Sequence, residues 1–130
     1  MEHIKITDLS IGDWVMYDLK PYIVQQIDGE SEHVVISGSE GVREKHIDYI
    51  EPICIKPEML EKHGFVLTEY AKKHNEHRYV DEDALLIKTD YGWHCTIFQG
   101  FLRDVSMYVR FIHELQHFFR LAKIGREIEL

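Results

Sequence analysis

Short β-branched segments, each closed by a turn pair, crowd the first fifty-five residues, and that spacing leaves room for nothing larger than a small β structure. The segments are Trp14-Val15-Met16-Tyr17, Tyr22-Ile23-Val24, His33-Val34-Val35-Ile36 and a run ending at Ile47-Asp48-Tyr49-Ile50. Asp28-Gly29, Ser37-Gly38 and Glu40-Gly41 supply the turns between them. Four or five such strands laid flat would leave two open edges. The expected arrangement is therefore a curled sheet, a small barrel of the SH3-like type over residues 1–55.

Ile11-Gly12-Asp13-Trp14-Val15 resembles the opening of such barrels, where a glycine admits the first strand and an aromatic faces the core or a groove. Trp14, Tyr17, Tyr22 and Tyr49 are the candidate binding aromatics of this half, with core packing as their competing use. No lysine or arginine cluster accompanies them, and the chain carries a formal charge of −8. Both observations argue against general nucleic-acid binding, which requires clustered cations, and favour a protein or peptide partner.

Beyond residue 55 the pattern changes. Pro57 to Lys62 reads as a short helix, with proline at its first position, Glu58 beside the positive end of the dipole, and Gly64 placed to end it. Phe65-Val66-Leu67 reads as a strand, and the polar stretch Ala71 to Arg78 as an exposed loop. Within that loop His74 and His77 are solvated imidazoles, and Asp81-Glu82-Asp83 is a solvated turn. Ala84 to Ile87 and Trp93 to Phe98 flank Asp90-Tyr91-Gly92 as a β-hairpin, which Gly100 ends. A final helix is expected from about Asp104, as N-cap, to Lys123, with Gly125 as its stop. Its apolar stripe is Tyr108, Ile112, Leu115, Phe119 and Ala122, widened by Phe111 and Phe118. The opposite face then reads Arg110, His113, His117, Arg120, a row of potential cations.

That helix carries the one sharp chemical motif, His113-Glu114-Leu115-Gln116-His117. HExxH places two imidazoles one turn apart with a carboxylate between them, as zinc peptidases do. A catalytic zinc needs three protein ligands, with the glutamate taking a proton from bound water. Here His113 and His117 would be ligands and Glu114 the general base. The third ligand is missing: Arg120 and Lys123 occupy the positions of the long metzincin form. Only thirteen residues follow His117, too few for another helix, with Glu127 and Glu129 the acids among them. His94 and Cys95 are the best-placed upstream donors. A zinc-dependent hydrolase is thus one alternative. A small-anion or nucleotide site on Arg110, His113, His117 and Arg120 is another, and a solvated face on a core-docking helix explains the same residues with no cofactor at all.

With 45% hydrophobic and 29% charged residues the chain has the composition of a folded domain. It has no apolar run long enough to span a bilayer, and its first residues lack a signal-peptide pattern, so no membrane association is expected and the cytoplasm is the default location. Two cysteines, Cys54 and Cys95, fit buried thiols in a reducing compartment.

Three segments, Leu9 to Val15, Glu51 to Phe65 and Phe111 to Leu130, together resemble a family of small proteins from Bacteroidetes genomes and their phages and mobile elements. They cover about a third of the chain. The family has no established activity, so the resemblance transfers no site residues, and it implies a role such as binding or blocking a host protein. The combined expectation is an α+β chain, an N-terminal small SH3-like barrel over 1–55 and a sheet covered by a long C-terminal helix over 56–130, packed as one unit. Its expected role is a non-catalytic protein- or peptide-binding module, with the oligomeric state left open.

Overall fold

A computed structural model describes residues 3–100, 102–122, 124 and 127–130. The chain is α+β, with two antiparallel sheets and a C-terminal helix, and it divides into two compact units, Met1–Ile53 with Leu130, and Cys54–Glu129.

In the first unit β1 (Trp14–Tyr17), β2 (Lys20–Asp28), β3 (His33–Gly38) and β4 (Gly41–His46) form a meander in chain order. The first hairpin turns on Asp18 and Leu19, both at positive φ, the signature of a two-residue turn that matches the strand twist. Neither residue announces that conformation in the sequence. The β2–β3 register shifts between Val24 and Gln26, a bulge that bends the sheet. One face is closed by Val15, Tyr22, Val24, Val34 and Ile36 together with Ile4, Leu9, Ile47 and Ile50. Burying each such side chain stabilises the unit by about 1.5–3 kcal/mol. The run ending at Ile50 is expected as a strand; Ile47–Tyr49 is instead a 3-10 turn, N-capped by the His46 ring, which accepts from Asp48 N–H.

The second unit holds α1 (Pro57–Lys62), β5 (Val66–Leu67), α2 (Glu69–His74), β6 (Arg78–Val80), β7 (Ala84–Thr89), β8 (Gly92–Ile97), β9 (Ser106–Val109) and α3 (Ile112–Leu121). The sheet order is β5-β6-β7-β8-β9. Strict alternation in β8 buries Trp93, Cys95 and Ile97 and leaves His94 and Thr96 on the other face. Leu60, Phe65, Ile112, Leu115, Phe118 and Phe119 complete the apolar interior, and Trp93 Nε1 donates to Ile55 O at 3.2 Å. At the end of α1 the Gly64 N–H bonds Glu61 O and the Phe65 N–H bonds Leu60 O, with Gly64 at φ +87°. That pair of bonds satisfies two carbonyls the helix cannot, and glycine enters the left-handed region without strain.

Two expectations are corrected here. The loop expected from Ala71 to Arg78 begins as α2, because Thr68 Oγ1 accepts from Ala71 N–H at 3.1 Å and Asn75 closes the helix at φ +54°. A six-residue helix with Ala71 as its only buried residue has no apolar period to read; its signal lies in its caps. The final helix does not start at Asp104 either. Asp104 lies in a turn at φ +65°, and the following Ser106–Val109 pairs with β8 as an edge strand. Tyr108 therefore belongs to no helical stripe, and the N-cap of α3 is Phe111. The helix end expected at Lys123 and the stop at Gly125 lie outside the described residues.

Candidate functional site

The HExxH segment occupies the first half of α3, and its glutamate sits at the third helical position. Phe111 has no side-chain acceptor to offer the helix start, so another group has to cover those amides. Glu114 does so: its Oε1 accepts from Phe111 N–H at 3.0 Å and from Arg110 N–H at 2.8 Å. This is one half of a capping box, with the carboxylate also lying at the positive end of the helix dipole. One oxygen of the carboxylate that a hydrolase would use as general base is thus engaged by the backbone of its own helix.

His113 and His117 are not a solvent-facing pair. His113 is 5% exposed and His117 half-buried, which corrects the outward face expected for them. Six of the ten helix residues are buried, including His113 and Gln116, so α3 is enclosed around most of its circumference and not along a single stripe. The His113 ring stacks on Phe111, 5.8 Å between centroids and 7° between planes, and meets His117 edge-on at 5.9 Å. Among the described residues no group of three or more His, Cys, Asp or Glu converges as metal ligands would. Of the upstream donors, His94 lies on the opposite face of β8 from Cys95, with its ring 5.0 Å from that of Tyr108. Cys95 is fully buried; burial, and then the Asp81 charge, push its thiol up to about 12, the reverse of what a nucleophile or thiolate ligand requires.

The expected cationic row is dispersed as well. The exposed Arg110 guanidinium lies over the Phe111 ring at 4.9 Å, and the half-buried Arg120 is 3.8 Å from the Glu127 carboxylate. The aromatics of the first unit also separate: Tyr22 is core, Tyr17 is half-buried edge-on against it with Lys45 Nζ above, Trp14 is half-buried, and Tyr49 is 67% exposed on the 3-10 turn. Sequence reasoning missed the fully buried Asp13, whose Oδ2 accepts from Ser10 N–H at 2.8 Å and anchors the entry to β1.

A different surface emerges at β9, the last strand of its sheet. Ile97 N–H donates to Val105 O at 3.1 Å, which sets the odd-numbered residues of this segment to bond β8 and turns the amides of Ser106 and Tyr108 outward. Large apolar side chains stand on both sides of this edge: Val105 is 43%, Met107 45% and Tyr108 56% exposed. No protein-family model, curated protein or solved structure matches the chain.

Proposed function

We propose that this protein is a non-catalytic protein- or peptide-binding module, and that its binding element is the outer edge of β9. At residues 106–108 this edge is unpaired among the described residues, and it ends where Ile55 N–H bonds Arg110 O and Cys54 bridges Phe111. The observation that carries this reading is the unguarded character of Ser106-Met107-Tyr108-Val109. Edge strands of soluble proteins are usually blunted by charge, proline or a bulge. This one has no charge and no proline, keeps outward-facing amides at two positions, and displays a thioether and a phenol ring. Those are the parts required for an extended segment of another protein to add as a further strand, with main-chain bonds giving affinity and alternate side chains giving selection.

The first unit is read as a reduced SH3-like barrel. Support comes from the segment after the 3-10 turn, which returns to β1: Met16 N–H bonds Glu51 O at 2.8 Å and Glu51 N–H bonds Met16 O at 2.9 Å. A fifth strand closing on the first is what such a barrel requires, here shortened to one bridge.

Titrating the isotope-labelled protein with extended peptides selected from a displayed library tests the binding reading. Selected peptides are expected to shift the amides of residues 105–109, and Met107→Lys is expected to weaken them at least tenfold without lowering the melting temperature, about 1.4 kcal/mol at the edge. Shifts that cluster elsewhere, or a Met107→Lys protein that binds as well as the wild type, would refute it.

A further inference from the structure

Independently of the β9 edge, a single imidazole fastens the carboxyl-terminal segment of the second unit. His63 follows α1, and its Nδ1 lies 2.8 Å from Met59 O, while its Nε2 receives the Glu129 N–H at 2.8 Å. A carbonyl only accepts and an amide N–H only donates, so Nδ1 carries the proton and Nε2 is bare. One tautomer of the neutral ring satisfies both bonds; the doubly protonated ring satisfies only the first.

Beside this bond, Ile128 is buried against an apolar cleft lined by Met59, Leu60, Phe65, Ile112, Leu115 and Phe119. The segment therefore lies as a strap, with the Ile128 side chain forming one wall of the cleft and a backbone amide tied to the His63 ring, which lines it too. Among the described residues, charged groups are carried by the three elements that line the cleft. On α1 these are Glu58, Lys62 and Glu61, the last accepting from Tyr79 OH at 3.4 Å. On the strap they are Glu127 and Glu129, and on α3 Glu114 and Arg120, the latter 3.8 Å from Glu127. The lining of the cleft apart from His63 is apolar.

We propose that His63 is a proton-operated latch for this strap. A second ring proton puts an N–H donor against the Glu129 N–H donor, the 2.8 Å contact opens, Ile128 leaves the cleft, and an apolar surface between α1 and α3 is uncovered. The sign follows from the bonded form: docking needs the unprotonated Nε2, so the strap is held while the ring is neutral and released when the ring takes up its second proton.

NMR of the full labelled chain tests this directly. At about pH 8 the ring nitrogens are expected to report the Nδ1–H tautomer, and the Glu129 amide to be protected from exchange. At about pH 5 that protection is expected to fall roughly tenfold beyond the intrinsic change in exchange rate, the loss of one well-formed bond. His63→Phe keeps a ring at the rim without an acceptor, and its Glu129 amide should be unprotected at both pH values. An Nε2–H tautomer at about pH 8, equal protection at the two pH values, or the same acid-induced loss in His63→Phe would overturn the proposal. The tautomer and the wild-type exchange decide it even where the variant does not fold.

Discussion

Replacing Glu114 separates a capping carboxylate from a catalytic one. In Glu114→Ala the amides of Phe111 and Arg110 lose the acceptor they share, at 3.0 and 2.8 Å. Loss of a helix cap costs about 1 kcal/mol. Removing negative charge from the first turn adds about 0.5 kcal/mol for a partly exposed group. The sum, about 1.5 kcal/mol, corresponds to a fall of about 6 °C in Tm at roughly 4 °C per kcal/mol for a domain of this size. Glu114→Gln keeps an oxygen where Oε1 stands and loses only the charge, so about 2 °C is expected. Thermal melts followed by circular dichroism, with and without chelator, check both values, and chelator should shift neither protein. A general base gives the opposite pattern, because Glu114→Gln would then abolish turnover while leaving the melt intact. The reasoning fails if Glu114→Ala melts within about 1 °C of the wild type. It fails equally if the purified protein holds stoichiometric zinc that His117→Ala removes, since that would make the helix start a metal centre.

Thiol titration of the native protein should find one reactive cysteine, the exposed Cys54, with Cys95 reacting only after denaturation. Because Cys95 stands at about 12, above the ordinary thiol range, its contribution to stability is complete below that range and is lost as pH rises toward 12; alkaline denaturation of Cys95→Ala should lack this slope. Gly64→Ala should cost about 1 kcal/mol, read by urea unfolding, since φ +87° strains any side chain while open space around a new Cβ excludes a clash as the cause.

How much of this was legible in the sequence depends on where each element keeps its information. The α1 helix was readable because Pro57 and Gly64 mark its two ends, and the β7–β8 hairpin because alternation and its turn residues agree. The β1–β2 turn was not, since Asp18 and Leu19 are held at positive φ by the strands they join. β9 was hidden by a coincidence of phase: Tyr108 fits a helical stripe with Ile112 and Leu115, yet its backbone pairs with His94. The same coincidence misplaced the candidate site. A spacing of four between histidines fixes their separation on a helix and says nothing about where that helix begins. With a start at Asp104, Glu114 falls in mid-helix, where a carboxylate between two imidazoles reads either as the base of a metal site or as part of a solvated face. With Phe111 as the N-cap, Glu114 becomes the third residue of the helix, the position from which a carboxylate reaches back to unpaired amides. Phe111 gives no warning of this, because capping residues are recognised by side-chain oxygens and it has none. The burial of His113 follows from the same start: it lies one residue inside a helix enclosed on several sides, stacked on the cap residue, and not midway along an exposed face.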